Sequence, residues 1–233
     1  MIYFFAMSRK HSFAVGEYYH VYNRGTEKRT IFLDDGDHKR FMSLLHLANN
    51  TEIVHISNLL NQGRTLMELL EVEVRDRLVS IGAYCLMPNH FHLLVREKVE
   101  NGASKFMQKL ITGYSMYFNK KYERSGNLFQ GRFKSNHIDE DVYLKHLYSY
   151  IHLNPLKLIA RDWRERPIEE THAKKFLGSY YYSSYHEHYK NTDRSEKVIL
   201  EQSVFPDYFQ NKQEGIEELF SWLQPADNIK VEP

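Results

Sequence analysis

Cys85-Leu86-Met87-Pro88-Asn89-His90-Phe91-His92-Leu93-Leu94-Val95 is the stretch from which the fold of this 233-residue chain can be read. It follows the apolar run Leu78-Val79-Ser80-Ile81-Gly82-Ala83-Tyr84. Two β-prone flanks meet at Pro88-Asn89, both turn formers, so the spacing predicts a hairpin. Side chains two apart share a strand face. His90 and His92 therefore project together, about 6.6 Å apart along the backbone, and both imidazoles can reach one cation at about 2.0 to 2.1 Å. That is half a metal site. In a chain with 13 histidines the same pattern also fits two strand-edge imidazoles, one solvated and one hydrogen-bonded. The setting, Met-Pro-Asn-His-Phe-His-Leu-Leu at the start of an apolar strand, favours the metal.

Working outward, Tyr18-Tyr19-His20-Val21-Tyr22-Asn23 alternates and is rich in aromatic and β-branched residues, a strand closed by Arg24-Gly25. Asp34-Asp35-Gly36-Asp37 offers N-cap carboxylates to a helix whose apolar stripe is Phe41, Leu44, Leu45 and Ala48. Residues 50–77 break the pattern and read as an insertion, with a short helix at Leu66-Met67-Glu68-Leu69-Leu70. Beyond the hairpin, Asn101-Gly102-Ala103-Ser104 opens a helix carrying Phe106, Leu110, Tyr114, Tyr117 and Phe118, which ends near Ser125-Gly126-Asn127. A strand over 129–138 and a helix over 142–153 follow, the latter stopped by Pro155. The order βα, ββα, βα predicts an α+β fold: a ferredoxin-like, split-βαβ antiparallel sheet with helices on one face. A C-terminal extension adds the aromatic loop Gly178-Ser179-Tyr180-Tyr181-Tyr182-Ser183-Ser184-Tyr185-His186 and an amphipathic helix over 215–223.

On the helix before Pro155, Tyr150 and Asn154 are spaced i, i+4 and so lie on one face a turn apart. That spacing can deliver a phenol and an amide oxygen to one metal-bound phosphate. Tyr114, Tyr117 and Tyr148 are the competing phenols, but none has a carboxamide four residues on before a helix-breaking proline. In a chain with 17 tyrosines, a core role for Tyr150 is the plain alternative.

Four stretches in order carry a resemblance: Tyr19-His20-Val21-Tyr22-Asn23-Arg24-Gly25, the His90-Phe91-His92 segment, Gly126-Asn127-Leu128-Phe129-Gln130-Gly131-Arg132-Phe133-Lys134-Ser135, and Tyr150-Ile151-His152-Leu153-Asn154-Pro155. Together they resemble the single-tyrosine HUH transposases, and the longer pattern is similar to the REP-associated tyrosine transposase branch. The resemblance spans roughly residues 18–186 and leaves out 50–77 and the tail. It implies the same fold, a DNA transposase activity, and transesterification through a covalent 5′-phosphotyrosine with release of a free 3′-OH. By motif match it makes Tyr150 the nucleophile and gives His90, His92 and Asn154 to the metal, although related enzymes carry glutamine where the shorter Asn154 stands. Imidazoles favour Mn²⁺ or Zn²⁺, whereas an amide, phosphate oxygens and water suit Mg²⁺ or Mn²⁺; the resemblance implies Mg²⁺ or Mn²⁺. The expected partner is single-stranded or hairpin DNA, with a homodimer allowed. Residues 1–17 then form an N-terminal arm, 18–165 the catalytic domain with its insertion near 50–77, and 166–233 the extension.

The net charge of +1 argues against a strongly basic nucleic-acid binder, but its distribution does not. Between Lys105 and Arg166 basic residues outnumber acidic ones by about two to one, and from Asp193 onward the ratio reverses. The candidate phosphate contacts are Arg132 and Lys134 beside the strand, Lys105, Lys109, Lys120, Lys121 and Arg124 on the preceding helix, and Arg24 past the first strand. The aromatic loop could stack on unpaired bases or pack on the sheet. The single cysteine, Cys85, excludes an intramolecular disulfide and fits a reducing cytoplasm. Met1-Ile2-Tyr3-Phe4-Phe5-Ala6-Met7 is too short for a signal core, and no stretch approaches 18 apolar residues, so no membrane is expected. Two other functions stay open: a non-catalytic single-strand binder, and a hydrolase using water with His90, His92 and His137.

Overall fold

The computed structural model describes residues 12–166, 168–209 and 211–223. Strand β1 (Tyr18–Arg24) is followed by α1 (Asp35–Leu47) and α2 (Ile56–Asn61), then by β2 (Val79–Met87), β3 (His90–Glu97) and α3 (Gly102–Lys121). Next come β4 (Lys134–Ile138), α4 (Asp141–Leu153) and a 3-10 turn, Asn154–Leu158, and the extension adds α5 (Glu170–Ser179), α6 (Tyr185–Tyr189) and α7 (Lys212–Ser221). The sheet runs β2-β3-β1-β4, and every pairing is antiparallel, as the split-βαβ order requires. Local chemistry sets the helix starts. Asp34 caps α1 by accepting from the Asp37 amide at 2.9 Å. The buried Glu97 carboxylate, at the end of β3, accepts from the first amides of α3, Gly102 and Ala103, at 2.9 and 2.8 Å.

The expectation of helices on one face is corrected. Phe91, Leu93 and Val95 of β3 join α1 and α3 in the main core, whereas Leu94, with Ala83, Cys85 and Met87 of β2, packs under Leu144, Leu147 and Ile151 of α4. The reason lies in β2, buried at all 9 of its positions: a strand apolar on both faces needs cover on both. The strand expected over 129–138 is also shorter. Gly131, at φ +69°, turns the chain, and only Lys134–Ile138 pairs with β1, Phe129 making an isolated bridge to Gly25.

Residues 50–77 close on themselves, the Thr51 amide donating to the Asp76 carbonyl at 2.9 Å, and they put Ile56, Leu69 and Leu70 into the main core. The short helix expected at Leu66 to Leu70 forms as a 3-10 helix over Glu68–Glu71, and α2 has no counterpart in the sequence reading. The extension does two things. Residues 182–184 run along β2, with the Leu86 amide donating to the Tyr182 carbonyl at 2.9 Å and the Ser184 amide to the Tyr84 carbonyl at 3.0 Å, so this edge is covered. Leu177, Tyr185, Leu219 and Phe220 also build a third cluster around Leu153, Leu156 and Trp163, just past the Tyr150 turn of α4.

Candidate active site

The strand register builds one side of the site. Paired residues of an antiparallel sheet share a face, and the pairs run Met87–His90–Arg24 in one row, Cys85–His92–Tyr22–Lys134 in the next, and Leu94–His20–Asn136 beyond. His90 and His92 therefore do project together, with ring centroids 5.0 Å apart, towards the face that α4 covers. His20 joins them from β1: its Nε2 lies 2.9 Å from His92 Nδ1, one ring donating and the other accepting. His90 Nδ1 is tied to Asn89 Oδ1 at 2.6 Å.

Tyr150 supplies the other side. Its ring, 7% exposed, stands edge-on to His92 at 5.3 Å and to His20 at 5.7 Å. Burial raises the phenol's pKa, against the pull of Asn154 and of the Arg164 charge. The imidazoles respond to the same burial in the other direction. His20 is lowered to about 3. His90 is lowered to about 4 by burial and by the Lys157 charge, with Asn154 opposing. His92 is pushed well down by burial and by its two histidine neighbours. All three are neutral at pH 7, the form that binds metals.

Asn154 is 1% exposed, and neither its amide nitrogen nor its oxygen has a hydrogen-bond partner of good geometry among the described residues. It still acts on both sides of the site, raising the His90 pKa and lowering that of Tyr150. Among the described residues no three His, Cys, Asp or Glu side chains converge to hold a cation. Two neutral imidazoles beside a buried amide oxygen do fit a divalent ion that keeps water or phosphate on its remaining positions. The residues that could hold it are His90, His92 and Asn154.

The other candidates separate by face. Lys134 lies in the His92 row and Arg24 in the His90 row, where the exposed Arg24 bonds Gln130 through its Nε. Arg132 is exposed and precedes β4, so it does not share a strand face with Lys134. Lys105, Lys109, Lys120, Lys121 and Arg124 belong to α3 or follow it, across the sheet from Tyr150. Two of these five serve the fold: Lys109 donates to the carbonyls of Asn50 and Glu52, the latter at 2.8 Å, and Lys121 bridges Asp34 and Asp37 at 2.7 and 2.8 Å. Arg124 reaches Asn119 at 3.2 Å. His137 pairs with Tyr19 in the register, faces the main core side and meets Glu17 at 2.8 Å, so the water-using site of His90, His92 and His137 is not assembled. The aromatic loop packs: Tyr182 stacks on His38 at 3.6 Å and Tyr185 is buried, leaving Tyr181 exposed.

Sequence reasoning missed His20, Lys157 and Arg164. The Lys157 ammonium lies 5.6 Å, and the Arg164 guanidinium 5.3 Å, from the centre of the Tyr150 ring. Lys157 follows the Pro155 that stops α4 and sits in the 3-10 turn, so no helical spacing from Tyr150 announces it.

The family described as "Transposase IS200 like" matches residues 15–154, across all four strands and α4. The chain belongs to this family of IS200-like transposases. No curated protein matches it in sequence. A solved structure described as "Structure of the REP associates tyrosine transposase bound to a REP hairpin" aligns over 78% of this chain and 84% of its own, with a TM-score of 0.45 and 15% identity.

Proposed function

We propose that this protein cleaves and rejoins single-stranded, hairpin-forming DNA by transesterification through Tyr150. The observation that carries the proposal is the Tyr150 ring, held edge-on to His92 and one turn before the buried Asn154 amide. The hairpin preference rests on the motif resemblance to the REP-associated branch.

In the cleavage step the Tyr150 oxygen forms a bond to phosphorus as the bond from phosphorus to the 3′ oxygen breaks. The phenol loses one proton and the departing 3′ oxygen ends with one, so no co-reactant is consumed. His90, His92 and Asn154 would hold Mg²⁺ or Mn²⁺, which would supply a positive charge to polarise a non-bridging phosphate oxygen. His20 fixes the His92 ring, and Asn154 lowers the pKa of the buried phenol. The 5′-phosphotyrosine keeps the energy of the broken phosphodiester, so a 3′-OH can reverse the reaction without a nucleotide cofactor.

Tyr150→Phe tests this, because it keeps the ring and its packing and removes only the nucleophilic oxygen. The variant should bind hairpin DNA like the wild type and show no cleavage. Wild type mixed with Mn²⁺ and a hairpin labelled 3′ of the break should give a detergent-resistant labelled protein band, with the adduct on Tyr150 by peptide mass mapping. Cleavage by Tyr150→Phe without an adduct would leave water as the nucleophile.

A further inference from the structure

The insertion over 50–77 packs on the face of the sheet away from Tyr150, where it forms the third wall of a cavity of about 890 Å³ between α1 and α3. Leu44, Leu47 and Ala48 of α1 and Ile56 of α2 line it and are buried. Met116 of α3 and Ile53 of the insertion also line it and are 69% and 73% exposed, so its apolar surface opens to water. One end is charged. Arg40 of α1, half-buried, sets its guanidinium 5.1 Å from the centre of the Tyr117 ring, another wall of the cavity. The Arg40 Nε is buried with no hydrogen-bond partner among the described residues; burial lowers the pKa, and among those residues no carboxylate acts on it. The acids that start α1 are committed elsewhere, Lys121 bridging Asp34 and Asp37 at 2.7 and 2.8 Å. Burying a guanidinium costs free energy unless an anion meets it, and none of the described side chains supplies one.

We infer that this cavity binds a free aliphatic carboxylate, Arg40 gripping the carboxylate while the alkyl chain lies over Leu44, Leu47, Ala48 and Ile56. Charge selects the head group, because an arginine fork matches the two oxygens of a carboxylate. The lining selects the tail. Apart from Tyr117, whose ring already carries Arg40 and Lys121, the apolar side chains around the cavity are aliphatic and suit a flexible chain better than a planar ring. A concave, mostly apolar site with one charged group to fix orientation is the form that small-ligand sites take, and 890 Å³ falls within their usual size. A folded partner would need a far wider apolar face than Ile53 and Met116 offer. The site is independent of the Tyr150 chemistry, and it gives the insertion a task of its own.

Calorimetry with decanoate, kept below its micellar concentration, tests the site, with decan-1-ol as the uncharged control. Arg40→Gln keeps much of the stem and removes the charge, and thermal melts confirm that it is folded. The variant should bind decanoate about tenfold more weakly than the wild type. The wild type should prefer decanoate to decan-1-ol by a similar factor, and the preference should vanish in Arg40→Gln. Methionine methyl groups labelled with carbon-13 locate the ligand: decanoate should move the Met116 resonance and leave that of Met87, which lies under α4, in place. No binding of decanoate by the wild type, equal binding by wild type and variant, or a Met116 resonance that stays put would overturn the assignment. So would an acidic amphipathic peptide that moves Met116 where decanoate does not, since the groove would then belong to a partner helix.

Discussion

His20 decides which nitrogen of His92 is available. The two rings share one hydrogen bond, and both are neutral, so one of them donates. If His92 Nδ1 donates to His20 Nε2, the remaining nitrogen of His92 keeps its lone pair for a metal; in the opposite arrangement that nitrogen carries the proton. A cation bound as proposed would select the first arrangement, with His20 as a positioning residue. His20→Phe keeps an aromatic ring but removes the acceptor. Mn²⁺ affinity by calorimetry should fall by about tenfold or more, while hairpin binding in EDTA stays as in the wild type. Unchanged Mn²⁺ affinity would show that His92 needs no such support. The His90 and His92 pair and the Tyr150 and Asn154 pair were legible because each depends on the period of a single element. His20 lies in a strand that was equally legible, but its contact with His92 exists only through the β1–β3 register, which no local spacing announces.

At the scale of elements, α4 is fastened to the sheet by residues of the extension. His152, two residues after Tyr150, holds the Ser184 hydroxyl at 2.8 Å, and that hydroxyl accepts from the Tyr84 amide of β2 at 2.9 Å. Ser184→Ala strands a buried amide and a buried imidazole, at a cost of about 1 to 3 kcal/mol. The melting temperature should drop by roughly 3 to 10 °C. A change below 1 °C would mean that the fastening is redundant. His188 makes a related link, donating through Nε2 to the Gly82 carbonyl at 2.8 Å, and burial lowers its pKa to about 4. The unfolded imidazole titrates near 6.5, so acidification through the window from about 6.5 to 4 protonates the unfolded chain first. Stability is lost in that window and is insensitive to this group above it. His188→Gln, which retains an amide donor, should flatten the fall in melting temperature between pH 7 and 5. The S-S-Y stretch was visible in the sequence. Its pairing with β2 was not, because a strand apolar on both faces looks the same with or without a neighbour at its edge.

For the molecule as a whole, the sheet sorts the basic residues into two sets. Arg24, Lys134, Lys157 and Arg164 belong to the side of Tyr150, whereas Lys109 and Lys121 serve the helical layer opposite. Lys134→Ala should therefore make the salt dependence of single-strand binding shallower by about 0.7, while Lys109→Ala should leave the slope alone and lower thermal stability. Equal slopes for the two variants would place the DNA elsewhere. The α3 lysines stand out by charge density along the chain, and density carries no information about layers. The two-sided cover of β2 is what moves them away from the site.

The seating of α4 on its own sheet bears on how defects combine. Tyr150 and the histidines it meets belong to one polypeptide, and Ser184 of that polypeptide holds the helix in place. Under the proposed mechanism, a copy carrying Tyr150→Phe and a copy carrying His92→Ala would each miss half of a centre built within one chain. Mixed in one tube, the two should stay as silent as either alone, so in a cell that makes both, one damaged allele has nothing to offer the other.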